Sequence, residues 1–89
     1  RRSKMHVLSD ILRVIRNASG MAKPTHVMYK ANLSHKLLKS HLSFLMENKF
    51  IEQKMVGNNA YYSVTTKGVK FIDEFKKVEK FSMAFGLPI

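Results

Sequence analysis

The spacing of apolar residues changes character along this chain, and those changes limit the folds open to it. Up to Glu47 the apolar positions recur at three and four residues, the spacing of one helix face. After Asn48 they alternate with polar positions, as in a half-exposed strand, and from Lys67 the helical spacing returns. Leu8, Ile11, Leu12 and Ile15 set a first helix over residues 5–19, with Ser3 as a cap and Gly20 at the left-handed position that ends many helices. Pro24 biases Lys23 towards an extended backbone, and Thr25 is expected to cap a short second helix reaching Lys30, with Val27 and Met28 as core contacts. In Ala31-Asn32-Leu33, Asn32 tolerates a left-handed conformation and Leu33 is free to plug the core. Ser34 then caps a third helix over residues 35–47, whose stripe is Leu38, Leu42 and Leu45 with Leu37 or Met46 beside it. Asn48 is expected to end it in place of the more usual glycine.

The alternating segments Ile51 to Val56 and Ala60 to Val64 flank Gly57-Asn58-Asn59 and predict a hairpin. Thr65 or Thr66 caps a final helix over residues 67–85, ended by Gly86 and Pro88. On it Phe71, Phe75, Val78 and Phe85, spaced four, three and seven apart, share one face with Ser82 among them. Phe71 and Phe75 lie near the helix start, where the preceding elements cover only part of the stripe. The remainder calls for a partner, and the simplest closed arrangement is a homodimer. Packing against the first helix alone is the competing use of the same face. The expected fold class is mostly α with a small β-hairpin, in one domain, because 89 residues support one modest core.

Sixteen Lys and Arg against six Asp and Glu give a formal net charge of +10. No acidic residue lies between Asp10 and Glu47, while Arg13, Arg16, Lys23, Lys30, Lys36 and Lys39 fall inside that gap. Surfaces that serve solubility alone mix both signs, so a purely basic stretch favours a polyanionic partner, nucleic acid above all. Cysteine is absent, which excludes disulfides and thiolate chemistry. No run approaches the ~20 apolar residues of a membrane span, and the basic start is not followed by a signal-peptide core, so a cytoplasmic protein is expected. A chain that begins at Arg1 is expected to lack some N-terminal residues.

A short helix, a tight turn and a second helix capped at Ser34 form a helix-turn-helix pattern, whose second helix fits the DNA major groove. Lys36, Lys39, Ser40 and Ser43 avoid the leucine stripe and are free to face double-stranded DNA, with Lys30 and Ser34 at the preceding turn. Lysine pairs with phosphate or guanine and serine is a permissive reader, a set suited to backbone binding more than strict base selection. Lys54, Asn58 and Asn59 place polar groups on the hairpin near the DNA backbone or minor groove. For the two asparagines the alternative is a turn chosen for its conformation alone. Arg13 and Arg16 lie off the apolar stripe, open to phosphate or merely solvated. His35 and His41 are read as partly buried packing residues, and His6 with Asp10 as a surface pair. The four histidines offer neither the helical spacing nor the cysteine or carboxylate partners of a metal site. The carboxylates are scattered and no glycine-rich loop is present, so no enzyme activity, metal or cofactor is expected.

The segment Tyr62-Ser63-Val64-Thr65-Thr66-Lys67-Gly68 resembles the junction that follows the wing in many winged-helix proteins. Together with Lys23-Pro24-Thr25, Met28-Tyr29-Lys30-Ala31-Asn32-Leu33-Ser34 and Leu42-Ser43-Phe44-Leu45, it makes residues 5–81 similar to one group. That group is the small archaeal winged-helix DNA-binding proteins that dimerise through a C-terminal antiparallel coiled coil. The resemblance implies a winged helix-turn-helix over residues 1–65 and a dimerisation helix over residues 66–89, continuous as one structural unit. It also implies regulatory or chromatin-like DNA binding, associated with the nucleoid. The alternative use of such a fold is as a protein-protein interaction module in a larger transcription or repair assembly.

Overall fold

A computed structural model describes residues 2–88. In chain order the elements are α1 (Lys4–Asn17), α2 (Pro24–Lys30), α3 (His35–Glu47), β1 (Ile51–Val56), β2 (Asn59–Val64) and α4 (Thr66–Phe85). The antiparallel hairpin pairs Ile51 with Val64 and Val56 with Asn59. The chain thus has the winged helix-turn-helix architecture with a C-terminal helix.

Local rules set most of the helix ends. The Ser3, Ser34 and Thr65 hydroxyls each accept the backbone N–H three residues on, from His6, Leu37 and Gly68. Thr25 does not cap α2. Lys23 occupies the cap position without a side-chain bond and Pro24 opens the helix, where its fixed φ fits and its missing N–H costs nothing. After α1 the chain turns through two left-handed residues, Ser19 at φ 52° and Gly20 at φ 82°. At the end of α3 the left-handed residue is Lys49, at φ 64°, while Asn48 keeps a negative φ and its side-chain amide Nδ2 donates to the Phe44 carbonyl at 2.8 Å. The hairpin turn is Gly57-Asn58, with positive φ at Gly57 alone, so Asn59 belongs to β2.

The core forms where α1 crosses the other elements. Ile11, Leu12, Ile15, Val27, Leu45 and Ile72 are almost fully enclosed, and Leu38, Leu42, Ile51 and Tyr62 close it from α3 and the hairpin. Leu33 and Met28 pack against it half-buried. Leu37 does not join the leucine stripe. It is 51 % exposed, because its position lies about 60° of helix arc from Ser40, on the flank of the exposed face.

The junction before α4 is tight. The Phe50 carbonyl accepts the Thr65 N–H at 3.0 Å, and the Thr65 hydroxyl donates to the Lys49 carbonyl at 2.6 Å. A β-carbon on Gly68 would lie 2.3 Å from the Phe50 oxygen and 2.5 Å from Val64 Cγ1, so only glycine lets the first turn of α4 approach so closely. From there α4 lies along α1. Ile72 and Phe75 are buried and the Phe71 and Phe75 rings stack with centroids 6.1 Å apart.

Candidate nucleic-acid interface

At about 100° per residue, Lys36, Lys39, Ser40, Ser43 and Glu47 fall within about a third of the circumference of α3. All five are exposed, and the buried Leu38, Leu42 and Leu45 occupy the opposite side. The turn into α3 holds this face in place. The Leu33 N–H bonds the Met28 carbonyl at 3.0 Å, Asn32 takes φ 55°, and Ser34 caps the helix. The Ser34 hydroxyl is thus committed as an acceptor to the Leu37 N–H at 3.2 Å, leaving its own proton to donate outward. Lys30 is exposed at the end of α2. His35 is exposed rather than packed, while His41 is half-buried as the sequence implies.

The hairpin stands beside the same helix. Tyr62 of β2 shares a shallow depression with His35, Lys39 and Leu42 of α3, and its N–H bonds the Ala22 carbonyl at 2.9 Å, tying in the segment before α2. Burial of Ile51 and Tyr62 fixes the alternation, so Lys54 and Val56 share the outer face with Asn59 and Tyr61. Lys54 sits opposite Tyr61 in the register, and the Lys23 ammonium lies 5.7 Å from the Tyr61 ring centroid. Lys23 and Tyr61 therefore join Lys54 on one surface, a grouping that sequence reasoning missed. The bridge between Ala22 and Tyr62 brings these segments together. Asn58 and Asn59 are exposed at the tip beside Met55 and Val56, also exposed.

Four of the six carboxylates meet basic side chains. Asp10 pairs with Arg2 at 2.8 Å, Glu79 with Arg13 at 2.8 Å and His6 at 3.3 Å, Asp73 with Arg16 at 3.9 Å, and Glu74 with Lys77 at 3.2 Å. Every carboxylate in these pairs lies on α1 or α4. Arg13 and Arg16 are thus turned to α4 rather than left for phosphate, and His6 pairs with Glu79 of α4 instead of Asp10. Among the described residues, Lys30, Lys36, Lys39 and Lys54 make no ion pair. Two acids do border this face, Glu47 at the end of α3 and Glu52 at the root of the wing. Burial, and then the Lys4 charge, hold the His41 imidazole below its usual pKa, and burial pushes the Tyr62 phenol up.

The apolar stripe of α4 divides. Phe75 is only 2 % exposed and meets the His6 ring edge-on at 5.1 Å, so it is a core residue of the single chain, and Phe71 is packed beside it. Beyond them Val78, Phe81 and Phe85 are 41 %, 58 % and 67 % exposed, with the last two rings 4.8 Å apart. The apolar surface of α4 that stays exposed is therefore on the distal half of the helix. No metal-binding cluster occurs among the described residues, and no described helix is long and apolar enough to cross a membrane.

Known proteins share this architecture. A family model described as winged helix-turn-helix matches residues 1–83. The uncharacterized protein MJ0290 of Methanocaldococcus jannaschii is 28 % identical over 78 residues, which are 88 % of this chain and 34 % of that protein, so the chain spans about a third of that relative's length. Among solved structures, Sso10a-2, a DNA-binding protein from Sulfolobus solfataricus, superposes with a TM-score of 0.77 at 25 % identity, covering 96 % of this chain and 90 % of that one. AF1382 from Archaeoglobus fulgidus gives 0.72 at 18 % identity, with 89 % of each chain covered. MepR, a transcription regulator of a Staphylococcus aureus efflux pump, gives 0.74 at 13 % identity over 92 % of this chain and 64 % of its own. With architecture and family model in agreement over almost its whole length, the chain belongs to the winged helix-turn-helix family.

Proposed function

We propose that this chain binds double-stranded DNA as a homodimer, as a transcriptional regulator or an architectural protein of the nucleoid, and does no enzymatic chemistry. The observation that carries this reading is the separation of charge. The exposed lysines of α3 and the wing make no ion pair among the described residues, whereas the paired carboxylates all belong to α1 and α4. In this reading α3 enters the major groove. Lys36 and Lys39 meet phosphate or guanine, Ser40 and Ser43 allow close approach, and Leu37 offers an apolar contact of the kind a thymine methyl accepts. Lys30, Ser34, Lys54, Asn58 and Asn59 contact the flanking backbone, joined by Lys23 and Tyr61. Residues 1–65 form the DNA-binding part and residues 66–89 the dimerisation part, with Val78 and Phe85 as interface residues and Phe81 added to them. The likeness to Sso10a-2, described as a DNA-binding protein, supports the same reading.

Titration of random and promoter duplexes at several salt concentrations tests it. Each phosphate neutralised contributes about 0.9 to the slope of log K against log salt. Replacing Lys36 and Lys39 with Ala lowers that slope and the affinity for all sequences if the lysines meet phosphate, and unequally among sequences if they read guanine. Unchanged affinity in a folded double variant overturns the assignment of α3.

A further inference from the structure

Behind α3, away from the proposed DNA face, lies a cavity of about 290 Å³ that the DNA reading does not use. Its walls are Met5, Leu8 and Leu12 of α1, Phe44 of α3, Phe50 before the hairpin and Phe71 of α4. Every one of these side chains is apolar. A single charged residue, Lys4, stands at the mouth, its ammonium 4.6 Å from the Phe44 ring centroid. Among the described residues Lys4 makes no ion pair. The geometry points to a binding site for a small apolar carboxylic acid, its hydrocarbon chain in the cavity and its carboxylate against Lys4.

The volume lies at the small end of the range for ligand sites, about 300 to 1,000 Å³, which suits a medium-length chain and not a bulky polycyclic molecule. An apolar cavity that opens to solvent loses contacts along its lining, and an alkyl chain restores them. The choice of an acid over an alcohol or amine rests on Lys4, the charged residue of the lining, with the Lys67 ammonium a further positive charge 4.7 Å from the Phe50 ring centroid. Burial is the main reason the His41 pKa is low, and the Lys4 charge lowers it further, so the ammonium at the cavity is felt by this imidazole. Because Phe44 belongs to α3, an occupant would bear on the helix proposed to read DNA. That consequence rests on the DNA reading, whereas ligand binding itself does not.

The test is calorimetric titration of straight-chain alkanoates, from hexanoate to dodecanoate, into the full chain without DNA. Each buried methylene raises affinity about fourfold until the cavity is filled, after which added carbons give no further gain. Octanoate binds more tightly than octanol or octylamine, and Lys4→Gln removes up to about fivefold of its affinity, as expected for a solvent-facing ion pair. Met5→Asp sets a carboxylate at the mouth. Position 5 lies in the first turn of α1, where an acidic residue favours the helix, so this variant keeps its thermal stability while losing octanoate binding. Occupancy also raises the His41 pKa, read by proton NMR, because an anion has come close to it. Absence of binding at millimolar alkanoate, or equal affinity for acid, alcohol and amine, overturns the proposal. So does an alkanoate affinity that falls as protein concentration rises together with self-association lost in Met5→Asp, since the cavity is then closed by a second copy.

Discussion

Gly68→Ala places two well-known effects in opposition, and the structure decides between them. Alanine in a helix is favoured over glycine by about 0.8 to 1.0 kcal/mol. At this position, however, the added carbon would lie 2.3 Å from the Phe50 carbonyl oxygen, and 2.5 Å from Val64 Cγ1. The valine methyl can rotate away; the carbonyl cannot, because it already accepts the Thr65 N–H at 3.0 Å and lies next to the Lys49 carbonyl held by the Thr65 hydroxyl. Relief requires α4 to lift away from the end of α3, which opens contacts of Phe71 with Phe50 and loosens Ile72. Overpacking of this kind costs about 1 to 3 kcal/mol, and a backbone obstacle belongs at the upper end. The net loss after the propensity gain is about 2 kcal/mol, or about 8 to 16 °C of melting temperature for a domain of this size. Thermal unfolding followed by circular dichroism measures it, at one protein concentration to hold any self-association fixed. Gly57→Ala is the control: nothing lies within 4 Å of its β-carbon, so only the strain of φ 62° is felt. A Gly68→Ala protein as stable as the parent refutes the reasoning, because it means the junction yields at no cost.

Ser9 is fully enclosed with its hydroxyl lacking a partner among the described residues, so Ser9→Ala removes an unsatisfied group and improves helix propensity; we expect about 1 kcal/mol of added stability in denaturant unfolding. Phe81→Asp with Phe85→Asp leaves the fold intact and lowers the sedimenting mass to that of a monomer, whereas Phe75→Asp unfolds the chain by burying a carboxylate at a position only 2 % exposed. His41 has a lowered pKa in the folded chain, so the unfolded chain takes up the proton first as pH falls. The stability that neutral His41 preserves is present above its unfolded value of about 6.5 and is lost as pH drops through the lower folded value. His41→Gln flattens this acid loss in melts taken between about pH 7 and pH 5.

What was legible in the sequence is what short-range rules determine. The stripe of Leu38, Leu42 and Leu45 and the cap at Ser34 placed α3 at about residues 35–47, where it lies, and Ser3, Ser34 and Thr65 cap as their spacing to the following N–H groups requires. Lys36, Lys39, Ser40 and Ser43 are exposed because they avoid that stripe. What failed depends on tertiary neighbours. Leu37 and Met46 lie on opposite flanks of the stripe, about 180° apart, and only the Met46 flank meets the core, so Met46 is half-buried and Leu37 is exposed. His6 is four residues from Asp10 on one helix, but Glu79 of α4 and the Phe75 ring reach it instead. Lys23 and Tyr61 come together through pairing of residues 40 apart, at Ala22 and Tyr62. No local signal announces such a pairing.

The division of α4 shows why an apolar stripe alone could not separate self-packing from dimerisation. A helix of 20 residues is about 30 Å long, and the core contacts of α4 end at Phe75, near its midpoint. Burial is the same event whether the covering surface belongs to this chain or to another, so Phe75 and Phe85 look alike in sequence. The point of division is set by the length of α1. Lys4 to Asn17 gives about 21 Å of helix for α4 to lie along, and the two are clasped by Arg13 and His6 on Glu79 and by Arg16 on Asp73. Ion pairs this exposed add at most about 1 kcal/mol each, so their effect is on direction more than stability. They hold α4 against the helix that also anchors α3 through the core, and Phe81 and Phe85 emerge past the end of that clasp, with Val78 exposed beside it, in a fixed relation to Lys36 and Lys39. A second copy docked on that surface would therefore inherit a defined separation between the two α3 helices, and DNA accepts a pair of such helices only near whole-turn spacings of about 34 to 36 Å.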